Sequence, residues 1–61
     1  MRINEPLWSV EETAAFFAVS VRTLYDWRAR GYGPPARKVG RWLRYDPGDV
    51  RRWLASLDEA A

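Results

Sequence analysis

The sequence predicts an α+β fold, in which two short helices are followed by a β-hairpin and a C-terminal helix. Apolar side chains recur at helical spacing in the first half of the chain and again near its C-terminus. Between them, the stretch GYGPP at residues 31–35 excludes a continuous helix or central strand, and residues 37–46 approach a period of two. With 61 residues, the chain is expected to form one domain over residues 1–61, with a core over about residues 7–57.

The first helix is predicted by a capping box. Ser9 is followed three residues later by Glu12, so each side chain can accept a hydrogen bond from the other residue's free backbone N–H. An apolar stripe at helical spacing comes after this cap: Val10, Ala14 and Phe17, with Phe16 broadening it. A short amphipathic helix is therefore expected, ending near Ala18.

The second helix is expected to follow almost at once. Ser20 is a second N-cap candidate, Leu24 and Trp27 share one helical face, and Gly31 is a suitable C-terminal stop. Only residues 18–20 connect the two helices. A connection this tight between two short helices is typical of a helix-turn-helix.

A β-hairpin is predicted for residues 37–46. The period of two breaks at Gly40-Arg41, where we expect the tip of the hairpin. The side chains expected to face inward are Val39, Leu43 and Tyr45. Those expected to point elsewhere are Lys38, Arg41, Trp42 and Arg44.

The last helix is predicted to begin at Asp46-Pro47, an N-cap followed by a proline in the first helical position. Its apolar face follows helical spacing: Val50, Trp53, Leu54 and Leu57. Trp8, Trp27 and Trp53 are expected to belong to the core, since aromatic rings must supply much of the burial in so short a chain.

The composition excludes several classes of function. The sequence has no Cys and no His, so disulfides, ordinary zinc sites and the familiar nucleophile–base pairs are absent. Its carboxylates fall at N-caps or on helix surfaces, and no phosphate-binding glycine loop is present. We therefore expect no enzymatic activity, no metal and no cofactor. The absence of a signal-like or membrane-spanning apolar run predicts a soluble, cytoplasmic protein without a membrane partner.

The charge is distributed unevenly. Residues 20–52 carry nine Arg or Lys against three Asp, a net charge of +6, whereas residues 1–19 and 53–61 each carry −2. A basic middle segment is the distribution expected of a surface that binds a polyanion, although a charge run alone is equally compatible with a solvated surface.

Four segments in order resemble the excisionase-type, MerR-like winged helix-turn-helix family of small DNA-binding proteins. SVEETA is similar to the start of the first helix, FFAVSVRTLYDW to the turn and recognition helix, GPPARKVGRWLRY to the wing, and DPGDVRRWL to the closing helix. The resemblance covers about residues 7–54. It departs from the family at Ala18, where glycine is frequent, and at Asp26, which is acidic on a helix expected to meet DNA.

The resemblance implies that the second helix enters the major groove with its N-terminal half. The residues this places at base edges are Val21, Arg22, Thr23 and Asp26. Arg22 can donate two hydrogen bonds to guanine, while Thr23 can instead cap the helix. Asp26 either accepts from a cytosine amino group or pairs within the chain with Arg22 or Arg30.

The remaining candidates are implied at phosphates and at the wing. Phosphate contacts are expected from Tyr25, Arg28, Arg30, Lys38 and Arg44, with stacking on a wing aromatic as the alternative for Arg28. At the wing, Gly40 permits close approach to the minor groove and Arg41 is attracted by its negative potential. Trp42 is expected to be exposed, packing on sugar-phosphate or on a neighbouring copy. Arg51 is expected to be solvated.

Three functions are compatible with this pattern. The first is an excisionase, or recombination directionality factor, that binds double-stranded DNA in side-by-side copies, bends it and assists an integrase. The second is a small prophage-type or MerR-like transcriptional regulator, for which the short chain lacks the usual dimerising segment. The third is a protein-interaction module, which the basic middle segment disfavours.

Overall fold

The computed structural model describes the backbone of residues 6–60 and the side chains of residues 6–58. It contains three helices and one antiparallel hairpin in the predicted order. The elements are α1 (Val10–Phe17), α2 (Val21–Ala29), β1 (Ala36–Val39), β2 (Trp42–Tyr45) and α3 (Pro47–Ala60). The predicted small α+β winged helix-turn-helix architecture is thereby confirmed.

Both predicted caps of the first two helices are present. The Ser9 Oγ accepts from the Glu12 backbone N–H at 3.0 Å, and the Glu12 carboxylate accepts from the Ser9 N–H at 2.8 Å. At the start of α2, the Ser20 Oγ accepts from the Thr23 N–H at 3.1 Å. These bonds satisfy donors that a helix N-terminus leaves free, which explains why both helices begin where they do.

The turn between α1 and α2 depends on a left-handed residue. Ala18 has φ 60° and ψ 40°, and the next N–H, that of Val19, reaches back to the Ala14 carbonyl at 3.0 Å. Ala18 is the only non-glycine residue with a positive φ among residues 6–60. Because Cβ crowds the backbone in this conformation, alanine is strained here where glycine is not.

We expect Ala18→Gly to stabilise the protein by about 0.5–1 kcal/mol, since relief of the left-handed strain exceeds the entropy that glycine adds to the unfolded chain. Urea unfolding followed by circular dichroism measures the change. The matched control is Ala15→Gly, which makes the same substitution at an exposed, helical position of α1. That variant should lose about 0.5–1 kcal/mol, and a loss at Ala18 as well would contradict the strain argument.

The hairpin has the predicted tip and one strand partner that was not predicted. Its register pairs Val39 with Trp42, so the connection consists of Gly40 and Arg41 alone. At the other end, Trp8 exchanges both backbone hydrogen bonds with Tyr45, at 2.8 and 2.9 Å. The segment before α1 thus adds a one-residue third strand, which holds the hairpin against the helices.

The predicted inward orientation of Val39 is wrong. Residues that face each other across an antiparallel pair lie on the same side of the sheet, so Val39 follows Trp42 to the outer face. Their side chains are 50% and 60% exposed, respectively. Leu43 and Tyr45 lie on the inner face as predicted, with Tyr45 almost fully buried.

A small core joins all three helices to the base of the hairpin. Its buried apolar members are Val10, Ala14, Leu24, Tyr45 and Val50. Thr13 is also fully buried, and its hydroxyl donates to the Ser9 carbonyl at 2.8 Å, which satisfies the polar group. The apolar faces predicted for α1, α2 and α3 therefore converge at these positions.

A cluster of four aromatic rings extends the core on one side. Five pairs of rings in this cluster have centroids 5.2–5.8 Å apart, and most of the pairs are edge to face. The rings belong to Phe17, Trp27, Tyr32 and Trp53. Edge-to-face packing of this kind adds stability beyond the buried area. The cluster joins α1, α2, the loop after α2 and α3, although its rings are only partly buried.

The end of α3 departs from the expected core. Asp46 caps the helix as predicted, its Oδ1 accepting from the Gly48 N–H at 3.0 Å, and Val50 is fully buried. Leu54 and Leu57, by contrast, are 41% and 37% exposed. Phe16, expected to broaden the stripe of α1, is also exposed and packs on Trp8. Within residues 6–60, no helix combines the length and apolar character needed to cross a bilayer.

Candidate DNA interface

The N-terminal half of α2 presents two exposed polar side chains, Arg22 and Asp26. The other two residues predicted at base edges are more involved in the fold. Val21 is half-buried and packs against the core, and the Thr23 hydroxyl lies 3.0 Å from that of Ser20, inside the cap of the helix. Direct access to a ligand is therefore greatest at Arg22 and Asp26.

Asp26 forms no ion pair with any of the side chains at residues 6–58. Among the side chains that the structure describes, neither Arg22 nor Arg30 nor any other cation lies within 4 Å of its carboxylate. Of the two alternatives for Asp26, the intramolecular ion pair is absent. An exposed carboxylate without a partner remains available to accept hydrogen bonds from a ligand.

Tyr25, Arg28 and Arg30 continue the exposed surface of α2. Arg28 lies close enough to the base of the hairpin to affect Tyr45, whose pKa is raised from 10.0 by burial while the positive charge of Arg28 opposes the rise. The alternative in which Arg28 stacks on a wing aromatic is not observed among the described residues, since the guanidinium groups that stack there belong to other arginines.

We call residues 36–45, the hairpin, the wing. At its tip, the Trp42 ring is flanked by two guanidinium groups, with the Cζ of Arg41 at 5.7 Å and that of Arg44 at 5.8 Å from the ring centroid. Arg44 is further held by a 2.9 Å hydrogen bond from its Nη1 to the Leu43 carbonyl. The predicted exposure of Trp42 is confirmed, and its face attracts both cations.

Gly40 and Lys38 have different positions on the wing. Gly40 has φ 65°, and a Cβ built there would meet nothing within 4 Å, so glycine is required by the backbone and not by crowding within the protein. Lys38 was expected to point away from Leu43, and this is wrong: it pairs with Leu43 across the hairpin and therefore lies on the inner side of the wing, although its side chain is exposed.

A cleft of about 290 Å³ lies between the wing, the first turn of α1 and Tyr25 of α2. Its lining consists of Val10, Glu11, Tyr25, Arg41, Trp42, Leu43 and Arg44. Four of these residues, Tyr25, Arg41, Trp42 and Arg44, were predicted as DNA contacts from the sequence. Glu11, which lies in the first turn of α1, was not.

The base of the wing is tied to α3 through Asp49. Its Oδ2 lies 3.6 Å from the Arg37 guanidinium on β1, and its Oδ1 contacts Arg52 one turn along α3. The Asp49 side chain is only 14% exposed, so this pair of contacts is less screened than an ordinary surface ion pair. Arg37 and Arg52 were not among the predicted site residues, and the structure gives them this supporting role.

Asp49→Asn is expected to lower the free energy of unfolding by about 1 kcal/mol, through the lost ion pairs and the lost charge at the N-terminus of α3. Urea unfolding at low salt measures the loss, which should shrink in 1 M salt. Asp58→Asn removes the same charge from the other end of α3 and should leave stability unchanged or slightly higher. An unfolding difference that salt does not reduce would contradict the electrostatic origin.

Arg51 is exposed on α3, as expected, and it also has an aromatic neighbour. Although the residue is exposed, its guanidinium lies 5.8 Å from the centroid of the Trp8 ring. Arg51 therefore lies near the ring of Trp8, whose backbone pairs with Tyr45 of β2, and its charge lies on α3, outside the cleft. Clusters of acidic residues that could hold a metal are absent from the described part of the chain.

The comparison with protein families agrees with this geometry. A family described as "Helix-turn-helix domain" matches residues 9–58, which includes α1, α2, the wing and most of α3. Among curated proteins, none matches the chain. A match over most of the sequence shows the family, which is a DNA-binding one. The chain belongs to the helix-turn-helix domain family, and its partner is double-stranded DNA.

Proposed function

We propose that the protein binds DNA sequence-specifically as an excisionase-type recombination directionality factor, with α2 in the major groove and the wing in the adjacent minor groove. The observation that carries the binding mode is the cleft, where Tyr25 of α2 and four residues of the wing region line one surface, beside the start of α1. An α-helix and a projecting hairpin placed side by side match the succession of grooves along a duplex.

In this mode, α2 reads the sequence. Arg22 donates to the O6 and N7 atoms of guanine, and Asp26 accepts from a cytosine amino group. Val21 and the methyl group of Thr23 contact a thymine methyl at the margin of the helix. Asp26 has no cationic partner among the described residues. Its negative charge therefore repels phosphate, which disfavours binding modes that bring Asp26 close to the DNA backbone.

The other candidates position the protein without reading bases. Phosphate contacts are assigned to Tyr25, Arg28, Arg30, Lys38 and Arg44. At the tip, Gly40 lets the backbone approach the minor groove, Arg41 enters it, and Trp42 packs on the sugar-phosphate edge. These contacts predict that affinity falls steeply as salt rises.

The excisionase role is supported by the resemblance of four ordered segments and by the excisionase-like character of the matched family. In this role, copies bind side by side on DNA and assist an integrase. A second candidate, a small prophage-type or MerR-like transcriptional regulator, is favoured by one observation. Leu54 and Leu57 expose apolar surface on α3, which a twofold dimer would cover.

Selection from a random duplex pool at low salt, followed by sequencing of the bound fraction, separates the candidates. Closely spaced direct repeats are the expected result, because head-to-tail loading of copies requires them. Inverted repeats would indicate a twofold dimer and the regulator instead. No enrichment of any sequence would contradict sequence-specific binding and favour a protein-interaction module.

A further inference from the structure

The cleft between α2 and the wing contains one acidic residue among its cations. Glu11 lies in the first turn of α1, is exposed, and lines the cleft together with Arg41 and Arg44. Within the described part of the chain, its carboxylate forms no ion pair within 4 Å and no side-chain hydrogen bond. A carboxylate beside two arginines would ordinarily be expected to pair with one of them.

Trp42 accounts for the missing pair. Its ring attracts the guanidinium groups of both Arg41 and Arg44, and the hydrogen bond from Arg44 to the Leu43 carbonyl holds one of them in place. Glu11 and these two arginines therefore line one cleft with opposite charges, while both guanidinium groups lie near the Trp42 ring.

We propose that Glu11 is a selectivity residue that competes with DNA phosphate for Arg41 and Arg44, and that Trp42 limits this competition by holding both guanidinium groups. The inference rests on the proposed DNA-binding mode of the cleft. A carboxylate in this position weakens the sequence-independent attraction of the surface for phosphate. A larger share of the binding free energy then comes from base contacts, which raises the preference for the correct sequence.

A purely structural role for Glu11 predicts a different result. An acidic residue in the first turn stabilises a helix through its dipole, so its removal would lower the stability of α1. Such a loss cannot tighten binding to DNA. A gain in affinity on neutralising Glu11 therefore distinguishes competition with phosphate from support of the helix.

The first test compares Glu11→Gln with Asp58→Asn, which removes one negative charge outside the cleft. Fluorescence anisotropy with a labelled duplex of arbitrary sequence at low salt measures affinity. A carboxylate about 4 Å from a phosphate predicts that Glu11→Gln tightens binding about two- to fivefold, whereas Asp58→Asn changes it less. The ratio of affinities for a selected duplex and a scrambled one should fall only in Glu11→Gln.

The second test combines Glu11→Gln with Trp42→Leu, which keeps an apolar side chain but removes the aromatic face. Trp42→Leu alone should weaken binding, because the arginines are free to pair with Glu11. Trp42→Leu also removes the proposed sugar-phosphate contact of the ring, so adding Glu11→Gln should recover only the part of the loss that Glu11 causes. The effect of Glu11→Gln should nevertheless be larger in the Trp42→Leu background than in the native chain. Circular dichroism establishes that each variant is folded, and the first test is independent of Trp42→Leu.

The outcomes separate this proposal from the one on which it rests. Equal effects of Glu11→Gln and Asp58→Asn, with the native protein still binding the selected duplex, would overturn the role of Glu11 alone. Strictly additive effects of the two cleft substitutions would overturn the role of Trp42. If the native protein bound no duplex at low salt, the DNA-binding mode itself would fall.

Discussion

Leu24→Ala is expected to lower the free energy of unfolding by about 2–5 kcal/mol and to leave much of the protein unfolded at 37 °C. Leu24 is 1% exposed and lies in the core that joins α2 to the other helices. A chain of this length has a total stability of only about 3–9 kcal/mol, so one cavity removes a large fraction of it. Thermal unfolding followed by circular dichroism at 222 nm measures the loss.

Leu57→Ala is the matched control, since it deletes the same atoms from a side chain that is 37% exposed on α3. Its effect should stay below about 1 kcal/mol, because little buried surface and no closed cavity are involved. Similar losses for the two variants would show that the distal part of α3 belongs to the core, contrary to the fold described above.

Arg22→Ala is expected to weaken binding to the preferred duplex by about 1–3 kcal/mol, which corresponds to a five- to 150-fold rise in Kd. The loss arises because a bidentate contact to guanine is removed, so it should be confined to duplexes that carry the preferred base pair. Parallel anisotropy titrations with the preferred duplex and with single-base-pair variants measure both the loss and its dependence on sequence.

Arg30→Ala is the comparison variant, because it removes a proposed phosphate contact instead of a proposed base contact. As a phosphate contact at the end of α2, Arg30 should contribute equally on every duplex, and its removal should reduce the slope of log affinity against log salt by about 1. If Arg22→Ala also weakened all duplexes equally, Arg22 would be a phosphate contact, and base reading would have to come from other residues.

Local signals in the sequence were sufficient to predict the order of the elements. Ser9, Ser20 and Asp46 each mark a helix start by a side-chain bond that depends only on the next two or three residues. The hairpin tip is likewise predicted by a local signal, because a two-residue connection requires a positive φ, which Gly40 adopts. The left-handed Ala18 was also marked in the sequence, as the position where the chain departs from the glycine that its resemblance to excisionase-type proteins implies.

The errors concern features that tertiary contacts decide. Trp8 pairs with Tyr45 through a single residue, which is too short to produce a period of two in the sequence. Val39 was assigned inward as an isolated apolar residue, whereas the register of the hairpin places it beside Trp42 on the outer face. Leu54 and Leu57 continue the apolar face of α3 at helical spacing, so the sequence predicts that they are buried. The rest of the fold does not reach this far along α3, and both side chains are exposed.

The candidate site was predicted residue by residue, but not its arrangement. Tyr25 and Arg44 were both expected to contact phosphate, yet only the fold shows that they line one cleft. Glu11 was not predicted, because the wing residues that share its cleft lie about 30 positions further along the chain. Arg37 was also missed, since its ion pair with Asp49 joins residues 12 positions apart, and spacing along the chain gives no signal for such a contact.

The central claim is that α2 and the wing together form the surface that contacts DNA, and an NMR titration tests it most directly. Uniformly ¹⁵N-labelled protein is titrated at low salt with an unlabelled duplex, and the amide shifts are mapped onto the sequence. The account predicts the largest changes at residues 21–26, at residues 39–42 and at the Trp42 indole N–H, with small changes at Leu54 and Leu57. Largest changes on the distal half of α3, or a response in α2 without one in the wing, would contradict it.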